Sequence, residues 1–280
     1  MIIDTHTHFY DPGRPAGVPW PNADSPLYRR VLPADLSAVA GGCGVTGTVV
    51  VEASEWVEDN QWLLDLAGDE PLIHGVIGRL EPTEHFTDNL ERFTAHPLYR
   101  GIRARGETLM AAEADDAVMA NLVDLGRRGL ILDLLGGASL PQLRWLVERA
   151  PGLRVVINHF GSAPDRDGHL DEDWRRHLHA LTKLPQVYCK LSGFKGAASK
   201  HHDPVPLEPS FYRPVFETML EILGIDRLLY ASNWPVSERV ASYENTFAIV
   251  ADWVERLNVE DGRKVWAGNA YRAYGPLQDE

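Results

Sequence analysis

His6-Thr7-His8 stands where the first apolar run of the chain, Met1-Ile2-Ile3, leads into Asp4-Thr5-His6-Thr7-His8-Phe9. On a strand, side chains two apart point to one face, so both imidazoles reach a single metal ion or a single substrate carbonyl; a helix would separate them. An H-x-H pair by itself also fits an N-terminal strand with two incidental histidines. Later residues shift the balance. Polar side chains stand at the ends of the other apolar runs: Glu52, Arg79, Arg103, Asp133, His159, Lys190, Ser192 and Asn233. Charges at the tips of apolar strands cost free energy unless they are paired or used. Any one of them is explained by a structural ion pair, but the set is harder to explain that way.

The elements that must position these residues alternate along the chain. Eight short β-branched runs predict strands at Ile2 to Thr5, Thr48 to Glu52, Ile73 to Gly78, Tyr99 to Arg103, Leu130 to Leu134, Arg154 to Asn158, Val187 to Leu191 and Leu228 to Ala231. Helical stretches lie between and after them, at Pro33 to Ala40, Asn60 to Gly68, Thr87 to His96, Ala114 to Gly126, Leu140 to Arg149, Asp171 to Leu184, Tyr212 to Leu223 and Tyr243 to Leu257. Ser139 before Leu140-Pro141 reads as an N-cap, and Gly126 and Gly224 fall where C-caps belong. Eight βα units predict an α/β fold, a single (β/α)8 TIM barrel over residues 1–280, and about 250 residues is the usual size of that fold. In such a barrel the C-terminal strand ends share one pocket. Two longer segments after strands, Pro12 to Pro26 and Gly196 to Pro209 with Lys200, His201 and His202, are expected to cover that pocket rather than to link domains.

The net charge of −13 argues against nucleic acid and anionic membranes as partners, since phosphate contacts need clustered Lys and Arg. Cys43 and Cys189 are far apart and suggest neither a disulfide framework nor a thiolate zinc site. No apolar stretch approaches the roughly 20 residues that cross a bilayer, and no secretory leader pattern opens the sequence. A cytoplasmic location and a small-molecule substrate are the expectation, and a homo-oligomer is compatible with it.

The segments Ile3-Asp4-Thr5-His6-Thr7-His8-Phe9, Val156-Ile157-Asn158-His159-Phe160-Gly161, Tyr188-Cys189-Lys190-Leu191-Ser192-Gly193 and Leu229-Tyr230-Ala231-Ser232-Asn233-Trp234-Pro235-Val236 occur in that order, with Gly101-Ile102-Arg103 and Asn269-Ala270-Tyr271 beside them. In these the chain resembles the amidohydrolase superfamily, and within it the amidohydrolase-2 branch of sugar-acid lactonases and pyrone-dicarboxylate lactonase. The resemblance implies a barrel in which His6, His8, His159 and position 233 surround the reacting centre as catalytic residues. It departs at Asn233, where the family commonly has Asp. A neutral amide offers a weak oxygen ligand or hydrogen bonds but takes no proton, and a missing base costs roughly 10²- to 10⁴-fold in rate. Glu52 supplying the carboxylate, His159 acting as base, or a subgroup with different chemistry or none are the three readings of that departure.

His6, His8 and His159 are the candidate metal ligands. Three imidazoles suit an open zinc site whose bound water has a pKa near 7, and manganese is the other divalent ion considered. The resemblance equally implies a metal-free lactonase that polarises the carbonyl with histidines and arginines. Glu52, Arg103, Lys190 and Trp234 are the expected substrate-binding residues, Arg103 because a guanidinium presents a planar fork to a carboxylate or carbonyl, while a structural ion pair with Glu52 or Asp133 is an equal reading of Lys190. Trp20, Trp56, Tyr10 and Glu55 are candidates for the rim. The function expected is hydrolysis of the lactone of a small sugar acid or carboxylate. Decarboxylation or hydration of a small unsaturated or aromatic acid is the alternative enzyme reading, and a catalytically weak binding protein is the reading that Asn233 favours.

Overall fold

A computed structural model of the chain describes residues 1–136, 140–161, 165–166, 169–194 and 204–277. Its sheet holds eight strands, all pairing in parallel: β1 (Ile3–Thr7), β2 (Gly47–Val51), β3 (Ile73–Gly78), β4 (Tyr99–Ala104), β5 (Ile131–Leu134), β6 (Arg154–Ile157), then β9 (Val187–Leu191) and β10 (Leu228–Tyr230). A two-stranded antiparallel hairpin, β7 (Asp165–Arg166) and β8 (His169–Leu170), lies between β6 and β9 in sequence. The ring closes where β1 ends. The His8 amide donates to the Trp234 carbonyl at 2.9 Å, and the Asn233 amide donates to the His6 carbonyl at 2.9 Å. This is the TIM barrel that eight βα units predicted.

Strand parity builds the interior. Val49, Val51, Ile77, Ile131, Val156, Tyr188 and Leu229 form one apolar cluster inside the ring, while Val50, Val76, Leu132, Val155 and Cys189 belong to the larger cluster between strands and helices. Residues two further along an inward position share its face. Asp133 follows Ile131, Asn158 follows Val156, and Lys190 follows Tyr188, so a polar layer lies above the apolar one; all three are fully buried.

The helices are α1 (Pro33–Ala40), α2 (Asp59–Gly68), α3 (Phe86–Thr94), α4 (Gly106–Ala114), α5 (Asp116–Arg127), α6 (Leu140–Arg149), α7 (Glu172–His179), α8 (Pro209–Leu223), α9 (Tyr243–Val254), α10 (Val259–Arg263) and α11 (Asn269–Tyr274). The expected Ala114 to Gly126 helix is preceded by a separate one, α4, and the break comes at Asp115, whose side chain caps α5 by accepting from the Ala117 amide. Gly224 is the C-cap of α8, as expected. Gly126 is not a C-cap. It lies inside α5, and a Cβ there would come within 2.8 Å of the Leu153 amide nitrogen, so close backbone approach explains the glycine. Ser139 lies outside the described residues. Ala270, Ala273, Tyr274 and Leu277, at helical spacing, plug the end of the barrel opposite the C-terminal strand ends. Among the described residues no helix is long and apolar enough to cross a membrane.

Candidate active site

The mouth of the barrel holds a cavity of about 460 Å³ lined by His8, Pro19, Trp20, Ala53, Glu55, Arg103, Arg105, Leu135, His159, Asn233, Val236 and Arg239. His8, His159, Arg103 and Asn233 are thus brought to one space by β1, β6, β4 and β10. His6 lies directly behind them, its ring centroid 4.8 Å from that of His8 and 4.7 Å from that of His159.

Local backbone explains two of these positions. His159 and Asn233 both have φ in the left-handed region, at 55° and 61°. Among side-chain-bearing residues, Asn, Asp and His tolerate that region best. Beside His159, Gly193 also has positive φ, at 80°, and a Cβ on it would stand 2.4 Å from the His159 Cβ. The Ser192-Gly193 pair after β9 therefore leaves room for the imidazole and supplies Ser192 Oγ, 2.9 Å from His159 Nδ1. The second ring nitrogen of His159 is left for the cavity.

Under the histidines runs a buried polar chain. Lys190 Nζ donates to Asp133 Oδ2 at 2.5 Å and lies 3.2 Å from His6 Nδ1. Asn158 donates to Asp133 and places its Oδ1 3.1 Å from His6 Nδ1. His6 Nε2 is 3.2 Å from His8 Nε2, and His8 Nδ1 donates to the Val51 carbonyl at 2.8 Å. Asp4 ties β1 to the β10 end, accepting from the His6 and Ser232 amides at 3.1 and 2.9 Å and from the Tyr243 hydroxyl at 2.8 Å.

Burial sets the protonation of the site. It holds His6, His8 and His159 below the ordinary imidazole range, His8 at about 3, and neighbouring cations push the same way: Lys190 at His6, Arg103 at His8 and His159. All three are neutral bases at pH 7. Glu52 is pushed by burial up to about 7, against the opposing pull of Arg103. Arg103 Nη1 donates to the Glu52 carbonyl at 3.1 Å and lies 3.9 Å from its carboxylate, while Arg103 Nε is buried with no hydrogen-bond partner among the described residues.

Several expected residues stand elsewhere. Lys190 does not face the cavity: it is fully buried, because β9 parity turns it inward beneath His6. Trp234 is also fully buried, its indole donating to Glu238 at 2.7 Å and its rings packed edge-on to Phe9. Glu52 stands behind Arg103 rather than in the lining, and Tyr10 is buried with its hydroxyl on the Leu27 carbonyl. Trp56 is solvent-exposed. Trp20 and Glu55 do line the mouth, and Trp20 meets His8 edge-on at 6.0 Å. Lys200, His201 and His202 lie outside the described residues. Sequence reading missed Arg105 and Arg239, which add two guanidiniums to the mouth. Arg105 carried a signal, two residues after Arg103, whereas Arg239 lies in a short helical turn after β10 that no periodicity marks.

His6 and His8 present two Nε2 atoms at the spacing of one tetrahedral edge: about 3.3 Å for zinc–nitrogen bonds of 2.0–2.1 Å. The third imidazole does not complete the set. Among the described residues no group of three or more His, Cys, Asp or Glu side chains is arranged to hold a metal ion, and position 233 offers an amide.

A closed parallel barrel with histidines from β1 and β6 and an arginine from β4 at its mouth defines an amidohydrolase-type centre. The amidohydrolase family pattern matches residues 3–275, and the chain belongs to that family. It is 32% identical to the L-fucono-1,5-lactonase of Burkholderia ambifaria, over 99% of this chain and 98% of that protein. To the L-fucono-1,5-lactonase of Burkholderia multivorans it is 30% identical, over 98% and 96%. Among solved structures, a Burkholderia multivorans amidohydrolase with bound zinc superposes with a TM-score of 0.86 at 26% identity, covering 98% of this chain and 99% of that one.

Proposed function

We propose that the protein hydrolyses the lactone of a small sugar acid to the open-chain hydroxy acid. The observation that carries this reading is the buried, unpartnered Arg103 Nε beside a neutral His159 in one cavity. Two lactonase relatives that match almost end to end support the substrate class. Arg103 donates to the lactone carbonyl oxygen and stabilises the oxyanion that forms as water attacks. His159, oriented by Ser192, takes the water proton and returns it to the ring oxygen as the acyl–oxygen bond breaks. The product is a carboxylate, and Arg105 and Arg239 give it a cationic surround. Trp20 supplies an apolar wall for the sugar ring.

The test is a panel of aldonolactones, L-fucono-1,5-lactone among them, followed by proton release and by NMR of the ring-opened acid. Turnover of at least one member well above the spontaneous rate is expected. A purified, folded protein that opens none of them overturns the reading.

A further inference from the structure

The face of the barrel opposite the mouth carries a second polar recess. A cavity of about 470 Å³ opens at the N-terminal ends of β4 and β6, lined among others by His96, Arg100, Arg128, Arg154, Tyr274 and Pro276. In a chain of net charge −13, the described residues lining this recess include no Asp or Glu. Arg128 is answered from outside it, by Asp124 at 2.7 Å and Glu91 at 3.6 Å. Among the described residues, Arg100 and Arg154 have only neutral acceptors. Arg100 donates to the Pro276 carbonyl, and Arg154 donates to the carbonyls of Arg272 at 3.0 Å and Gly129 at 2.5 Å. Arg100 Nε is buried with no hydrogen-bond partner among the described residues. The two guanidiniums are near enough that Arg154, after burial, helps hold Arg100 below its ordinary range.

Hydrogen bonds to carbonyls satisfy donors but leave the charge unbalanced, and two like charges in a half-buried recess are stabilised by an anion between them. Guanidinium forks match phosphate oxygens two at a time. We propose that Arg100 and Arg154 form a binding site for a dianionic phosphate group, free or carried on a small molecule, on the barrel face opposite the catalytic mouth. Two of the carbonyls these arginines hold, those of Arg272 and Pro276, belong to α11 and the turn after it, the segment that plugs this end of the barrel. An anion here therefore also stabilises the fold, by mass action on the native state. The proposal does not depend on the lactone reading.

The experiment titrates the full chain with inorganic phosphate and with glucose 6-phosphate by calorimetry, at constant ionic strength in chloride, and follows the melting temperature alongside. Saturable binding at about millimolar or lower concentration is expected, with a rise in melting temperature. R100Q and R154Q each weaken binding about tenfold or more, R100K recovers only part of it, and R105Q at the mouth leaves it unchanged. Tighter binding of glucose 6-phosphate assigns a carried phosphoryl group and equal binding assigns the free ion, and either result supports the site. If R154Q fails to fold, R100Q alone decides. No saturable binding of either probe, binding unaffected by R100Q, or binding lost in R105Q overturns the proposal. So does a tenfold gain when Asp279 and Glu280, which follow Leu277 in sequence, become Asn and Gln, because the recess would then serve the chain's own acids.

Discussion

The Nε2 atoms of His6 and His8 face one another at 3.2 Å. His8 Nδ1 donates to a carbonyl, so its Nε2 is a lone pair. His6 Nδ1 has both an acceptor, Asn158 Oδ1, and a donor, Lys190 Nζ, within reach. With Lys190 donating, His6 carries its proton on Nε2 and gives it to His8, and the pair is satisfied without any cation. With Asn158 accepting, two lone pairs converge on one point. The first tautomer satisfies the His6–His8 contact by itself, whereas the second awaits ligands that no other described His, Cys, Asp or Glu supplies. Prolonged treatment with a strong chelator is accordingly expected to leave kcat within about twofold of the untreated enzyme, and elemental analysis checks that the metal is gone. Recovery of a lost activity by zinc alone would refute the first tautomer as the working state.

Asn233 acquires a role from the same geometry. Its side chain interacts with His8 and, like the Val51 carbonyl, favours the protonated ring, against the burial that holds the ring neutral. An ionised Asp at 233 would add a full negative charge to that pull. Asn233→Asp is expected to raise the His8 pKa from about 3 by about 1–3 units, the usual effect of a carboxylate in contact. NMR titration of the His8 ring measures this directly. An unshifted ring titration would show that position 233 does not govern His8.

Much of this was legible in the chain. The short β-branched runs marked eight strands because inward and outward positions both face apolar surfaces in a closed parallel barrel, which leaves no polar alternation. His8, His159, Arg103 and Asn233 could be grouped because the fold collects strand ends at one mouth. Lys190 took its ion-pair reading, with Asp133, because parity tells which face a residue takes but not its depth, and two residues before Ser192 along β9 is enough to sink it beneath His6. Trp234 misled because the residue after a left-handed Asn233 turns back into the wall. The plug went unread although Ala270, Ala273, Tyr274 and Leu277 carry helical spacing, since small residues give a weak apolar signal.

His159 and Arg103 are assigned different tasks, and their substitutions separate. His159→Asn removes the base and is expected to lower kcat by about 10²- to 10⁴-fold. Arg103→Lys keeps the charge and loses the fork, for an expected loss of about 10²- to 10³-fold in kcat/KM. Steady-state kinetics on the best lactone of the panel checks both, and near wild-type turnover in His159→Asn would remove it from the mechanism.

Lys190 and Asp133 are both fully buried and form one ion pair. Replacing one partner strands a charge in the interior. Lys190→Met is expected to cost about 3–5 kcal/mol of stability, and Lys190→Met with Asp133→Asn to recover part of that. Urea unfolding of the two variants makes the comparison. A double variant as unstable as the single one would show that the pair holds the barrel through contacts other than charge.

Glu52 makes stability depend on pH in a direction opposite to that of most acids. Its carboxyl rises from an ordinary 4.5 to about 7 on folding, chiefly by burial. Below about pH 4.5 both folded and unfolded states hold the proton, and its contribution is fully present. Between there and about pH 7 the unfolded chain releases the proton while the folded one keeps it. Stability therefore falls as pH rises, by about 3 kcal/mol at most, and the loss is complete above the folded value. Glu52→Gln removes this slope, so its stability relative to wild type climbs across that window in urea titrations. Activity follows from the neighbour: a neutral Glu52 leaves the Arg103 charge, 3.9 Å away, to the oxyanion, and an ionised one competes for it. In wild type kcat/KM falls above about pH 7, less so in Glu52→Gln; two superimposable pH profiles would uncouple Glu52 from Arg103 in catalysis.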